Sequence, residues 1–170
     1  MSILEELKKY AHECINDVIV SSKKHKWACE RFLKDLENPK FYWDEEEAQR
    51  IYKWFTYLRH SKGELAKQPI ILTTWQKFVM CQIHAWRRQE DGLRRFKQAF
   101  IIVGRKNAKT QMQAGNVLYE ISVVATRNRE VAETYCAGTK KDQSLLLFKE
   151  CKNMLRGSLL SPRFKITGNQ

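Results

Sequence analysis

An apolar run, Phe100-Ile101-Ile102-Val103, feeds the basic turn Gly104-Arg105-Lys106-Asn107-Ala108 and ends in Lys109-Thr110 at an expected helix start. Residues of these types in this order suit phosphate binding. Backbone N–H groups and the positive end of the helix dipole hold phosphate oxygens, the Lys109 ammonium reaches the outer phosphates, and the Thr110 hydroxyl completes a Mg²⁺ shell. The strict pattern G-x-x-x-x-G-K-[ST] is departed from twice, with Val103 at the first glycine position and Ala108 at the second. Arg105 and Lys106 add two cations that would stabilise charge developing on a γ-phosphoryl group. The same residues also describe a basic strand-to-helix corner with an incidental Lys-Thr, and spacing alone leaves both readings open. The cost of Ala108 depends on its backbone: a left-handed conformation adds roughly 1–2 kcal/mol for a residue with a Cβ, a right-handed one almost nothing.

Upstream, Pro69-Ile70-Ile71-Leu72-Thr73-Thr74-Trp75-Gln76-Lys77-Phe78 leaves a turn and enters a helix. The Gln76 amide both donates and accepts, as the N6/N7 edge of adenine requires. Its alternative is structural, since Thr73-x-x-Gln76 has the form of a capping box. Trp75 either stacks on a base or joins the core. The run Arg87-Arg88 and Arg94-Arg95-x-Lys97, flanking Asp91-Gly92, is suited to a DNA backbone or to a solvated turn.

These residues need elements to position them. Ile3, Leu4, Leu7, Ala11, Cys14, Ile15 and Val18 repeat at helical spacing, and a second short helix is expected over 27–36, ended by Asn38-Pro39. Asp44 reads as the N-cap of a third helix, with Glu47 as capping-box partner and Ala48, Ile51, Trp54, Phe55 and Leu58 as the buried stripe. A turn-rich connection spans 60–69, and the next helix is expected from Thr73 or Thr74 to about Gln89. Beyond Gln98 the pattern is α/β: a buried strand over 99–103, a helix from Lys109 to about Val124, and a strand over 133–138. A helix from Asp142 to Leu155 follows, burying Leu145, Leu146, Phe148, Cys151 and Leu155, and 164–167 is suited to a third strand. This β-α-β-α order is the start of a parallel sheet, which needs both faces covered, so the sequence reads as ending inside a fold.

Lys and Arg number 31 against 19 Asp and Glu, a net charge of +12 that favours a polyanionic partner. No apolar stretch approaches the ~20 residues of a membrane span, and the amino terminus lacks the layout of a signal peptide. The expectation is a cytoplasmic protein without membrane association. Cys14, Cys29, Cys81, Cys136 and Cys151 show no C-x-x-C or Cys/His ligand spacing, and the four histidines supply no metal pair. Neither disulfide nor zinc is expected, and each cysteine reads as a reduced core thiol.

Four segments in order carry a family resemblance: Gln68-Pro69-x-x-Leu72-x-x-Trp75-Gln76-Lys77-Phe78, Asp91-Gly92-Leu93-Arg94-Arg95-Phe96, Arg105-Lys106-Asn107-Ala108-Lys109-Thr110, and Ala137-Gly138-Thr139-x-x-Asp142-Gln143-Ser144. From about Phe41 to Pro162 the chain resembles the large subunit of tailed-phage and prophage terminases, ATP-driven motors that package DNA into procapsids. The resemblance implies an ASCE-type P-loop ATPase domain, begun by residues 69–170 after a helical segment over 1–68. In that family the phosphate loop commonly reads Arg-Lys-x-Gly-Lys-Thr or -Ser without a leading glycine, so only Ala108 departs from it.

By the same resemblance Gln76 would contact adenine with Trp75 beside it, Arg105 to Lys109 would hold the phosphates of ATP, and Thr110 would hold Mg²⁺. Lys109 and Arg105 would also act in catalysis. Implied partners are double-stranded DNA, the terminase small subunit, the portal and procapsid, and further copies of the chain, in the bacterial host cytoplasm. A strand ending in Asp-Glu and the carboxylates of the nuclease domain are not found after Thr110, so ATP turnover is expected of a full-length terminase and not of this segment. The rival readings are a non-catalytic basic nucleic-acid-binding or interaction fragment from a split or decayed prophage gene, and part of another ASCE ATPase such as a helicase.

Overall fold

The structure is a computed structural model that describes residues 2–165. It combines helices with a small two-stranded sheet and divides into two units, Met1–Tyr52 with Leu72–Phe100, and Lys53–Ile71 with Ile101–Gln170.

In the first unit, α1 (Ile3–Ile15) and α2 (Lys23–Asp35) pack together, and α3 (Glu45–Tyr57) starts here. Each start is sealed. Ser2 and Ser22 hydroxyls accept N–H groups of Glu5 and His25, and Asp44 Oδ1 accepts from Glu47 N–H at 2.9 Å. The expected reciprocal half of the Asp44 box is not made, because Asp44 N–H is donated to the Ala85 carbonyl and the Glu47 carboxylate pairs with Arg50 and Arg87.

The fourth helix, α4 (Thr74–Ala85), is shorter than expected. Trp86–Arg88 leaves it as β2 and pairs antiparallel with β1 (Phe41–Trp43), Trp43 opposite Trp86. The Trp43–Trp86 cross-strand pair formed this way is one that a helical continuation would not give. Phe32 lies edge-on to Trp43, Phe78 and Trp86, with ring centroids 5.4–6.0 Å apart, and closes the core of this unit.

In the second unit, α5 (Lys109–Tyr119) runs into a π-helical turn (Glu120–Val124) and α6 (Ala125–Asn128), and packs against α7 (Lys141–Leu155). The strands expected over 99–103 and 133–138 carry no ladder pairing among the described residues, so the parallel sheet expected there is not formed. Phe100 is 90% exposed, Ile102 74% and Tyr135 85%. An apolar sequence becomes a strand only when a neighbour satisfies its backbone groups, and no described segment does so for these. Leu146 and Phe148 are also exposed, because α7 buries only its carboxyl-terminal part, Cys151, Met154 and Leu155. The expected third strand at 164–167 lies partly outside the described residues.

Candidate phosphate-binding loop

The loop stands on α5, and α5 is seated by two small residues. Gly115 faces Phe55 so closely that an added Cβ would lie 2.3 Å from the ring. The Trp54 indole donates to the Gly115 carbonyl at 3.0 Å, and the Trp54 ring meets Tyr119 edge-on at 5.7 Å. Next to it, Ala114 offers its carbonyl to the Cys151 thiol of α7 at 3.7 Å. Burial then pushes the Cys151 thiol up to about 12, which keeps it protonated as a donor.

At the amino end, residues 104–110 are all exposed. Lys106 (φ 67°) and Ala108 (φ 51°, ψ 24°) adopt the left-handed conformation, with Asn107 between them. The Asn107 amide donates to the carbonyls of Gly104 at 3.3 Å and Arg105 at 3.2 Å, tying the turn internally. Ala108 has no side-chain oxygen and leaves the first-turn N–H groups of α5 uncapped. The Lys109 ammonium bends back over the loop to the Val103 carbonyl at 3.4 Å, a weak bond that a phosphate oxygen could replace. Thr110 sits in the first turn, and Arg105 and Lys106 form the exposed tip. Open N–H groups, a positive helix end and three cations fit a phosphate chain.

Trp75 and Gln76 lie on α4, in the first unit. Gln76 is buried and its Oε1 accepts the Thr73 N–H at 3.0 Å, the cap that its spacing allows. That uses one lone pair; Oε1 keeps another. Trp75 is half-buried.

The basic run is committed within its own unit. Arg87 reaches Asp44 and Glu47 at 3.5 Å, Arg88 pairs with Asp91, Arg95 meets Asp35 at 2.5 Å, and Arg94 contacts His84 Nδ1 at 3.5 Å. The Arg95 guanidinium also lies over the Phe41 ring, 3.7 Å from its centroid. This is a structural ion-pair surface, and of the run Lys97 alone is fully exposed.

The family model for "Terminase large subunit, ATPase domain" matches residues 74–166, more than half of the chain and inclusive of Trp75, Gln76 and the whole loop. The chain belongs to the terminase large-subunit family. Nucleotide use, packaging and nucleic-acid partners follow in general terms from a terminase ATPase domain. No curated protein and no solved structure matches the chain. Among the described residues, no helix is long and apolar enough to cross a membrane.

Two features were not among the expectations from sequence. A cavity of about 550 Å³ lies in the second unit among Val117, Ile121, Phe148 and Tyr135; no residue from 104 to 110 lines it, and its apolar walls do not suit phosphates. In the first unit, Cys14, His25 and Cys29 come together, although no Cys/His ligand set was expected. The overlooked signal was His25-x-x-x-Cys29, which puts both residues on one face of a helix. The expectation of a core thiol is met at Cys14, Cys29, Cys81 and Cys151 but not at Cys136, which is exposed.

Proposed function

We propose that residues 104–110 hold the phosphates of ATP in the nucleotide-binding portion of a phage DNA-packaging motor, which couples ATP hydrolysis to translocation of double-stranded DNA into a procapsid. The observation that carries this reading is the uncapped amino terminus of α5 beside a lysine whose ammonium already lies over the loop. Lys109 binds the outer phosphates, Arg105 stabilises charge at the γ-phosphoryl group, and Lys106 adds a further cation. N–H groups from Asn107, Ala108 and the first turn of α5 serve the bridging oxygens. Thr110 offers its hydroxyl to Mg²⁺, which when bound neutralises phosphate charge. Gln76, with Trp75 beside it, is the candidate for the adenine.

In this reading residues 69–170 are part of an ASCE-type P-loop domain and 1–68 a helical amino-terminal segment. The partners are the small subunit, the portal and further copies of the chain, in the host cytoplasm. The ion-paired arginines weigh against the rival of a basic nucleic-acid-binding fragment, because their charge is already met by Asp35, Asp44, Glu47 and Asp91.

The test is calorimetric titration of the chain with Mg-ATP. Lys109→Ala removes a charge-assisted bond worth about 1.5–3 kcal/mol, so affinity should fall roughly 10- to 100-fold. Equal affinity in two folded proteins would sink the assignment.

A further inference from the structure

The turn between α1 and α2 brings together three side chains that the nucleotide reading leaves without a role. Cys14 ends the buried face of α1, and His25 and Cys29 lie one turn apart on α2. One ligand atom from each lies within 4.8 Å of the other two. Both thiols are fully buried and His25 is half-buried, which leaves the imidazole side open to entering ions. We propose that Cys14, His25 and Cys29 bind one zinc ion that ties α1 to α2, with a solvent molecule as fourth ligand on the open side of His25.

The chemistry of the set favours zinc. Two thiolates and an imidazole are borderline-soft donors, and four-coordinate sites of this kind use Zn–S near ~2.3 Å and Zn–N near ~2.0–2.1 Å. Those bond lengths place ligand atoms roughly 3.5–3.8 Å apart in a tetrahedron, so the three need draw in by no more than about 1.3 Å, within reach of side-chain rotation. The surroundings support the ring. Tyr10 hydroxyl lies 3.0 Å from His25 Nε2, and Phe78 flanks both rings at 5.4 and 5.6 Å between centroids. The Tyr10 hydroxyl also bonds the Cys14 side chain, so this phenol would orient two of the three proposed ligands, as the supporting residues of metal sites do. Two nearby carboxylates are engaged elsewhere: Asp17, in the turn between the helices, pairs with Lys26, and Asp35 of α2 pairs with Arg95.

The full chain, stripped of metal by chelator under reducing conditions, should be titrated with Co²⁺ and then Zn²⁺. One equivalent of Co²⁺ should give the intense thiolate-to-cobalt band and the visible bands of a tetrahedral site, and Zn²⁺ should abolish both. Cys14→Ser and Cys29→Ser should each lose the thiolate band, Tyr10→Phe should bind about 10- to 100-fold more weakly, and Cys136→Ser should behave as wild type. Zinc measured by mass spectrometry in protein never treated with chelator should be close to one equivalent. Because Co²⁺ binding to the wild-type chain is read directly, misfolding of a variant does not shield the proposal. Absence of a thiolate band in wild type, or a band that survives both serine variants, would overturn it. Nucleotide affinity does not enter, so the outcome is independent of the phosphate loop.

Discussion

The amino termini of α1 and α5 meet the same physical demand in opposite ways. At α1 an anion is supplied from inside: the Glu45 carboxylate accepts Ile3 N–H at 2.7 Å and Leu4 N–H at 3.1 Å, while Ser2 serves the third exposed donor. Burial pushes the pKa of Glu45 upward, but bonds from Trp43, Ile3, Gln49 and Leu4 outweigh it and hold the carboxyl below the ordinary range. At α5 the corresponding N–H groups face solvent behind an alanine and are ringed by cations. The first terminus is finished by its own sequence, whereas the second is left open, as the proposed phosphate site requires. The proposed phosphate site is thus marked by what the fold declines to satisfy.

The open terminus of α5 depends on what seats the helix. Gly115→Ala drives a Cβ into Phe55, and overpacking of about 1–3 kcal/mol should exceed the helix-propensity gain of about 1 kcal/mol. Denaturant unfolding should show a net loss, with weaker Mg-ATP binding alongside; unchanged stability would mean that the loop is not seated through this contact.

At α1 the expected effect depends on pH. The folded carboxyl of Glu45 titrates below its unfolded value, so its contribution is present above the unfolded value near ~4.3 and is lost as pH falls through the folded one. Glu45→Gln should cost about 1–2 kcal/mol at neutral pH and flatten the decline in melting temperature between roughly pH 5 and pH 3. Parallel acid profiles for the two proteins would remove Glu45 from this role.

The smallest effect is expected in the loop itself. Ala108 holds a left-handed backbone in which a Cβ costs about 1 kcal/mol, so Ala108→Gly should keep or raise nucleotide affinity, by up to about fivefold. A clear loss in the folded variant would show that alanine is shaping the loop.

The helices were legible because their information is local: the stripe of α3, the Asp44 cap and the start of α5 all lie within a few turns of sequence. The conformation of the proposed phosphate loop was legible for the same reason only in part: the start of α5 at Lys109 was expected, and Ala108 takes the left-handed of the two conformations weighed for it. The pairing of β1 with β2 was not, since Phe41 and Arg88 meet only after α3 and α4 intervene, and Trp86–Arg88 has no local mark that stops a helix. The reverse error occurred at 99–103 and 133–138, where composition suggests strands but partners decide. Spacing also left two readings of Gln76 open, and its bond to Thr73 N–H supplies the structural one without exhausting the amide. The arginines of 87–95 showed their charge in the sequence but not their carboxylate partners, which come from α2, α3 and the Asp91 turn.

Cys136, beside Tyr135 on an exposed stretch, has a practical consequence. The other four thiols are buried, so a maleimide dye added to the native, unsubstituted chain should couple at this single position. The polypeptide thus carries its own optical probe in the second unit, and a change in dye emission on adding a packaging partner would report covering of that stretch without any engineered cysteine.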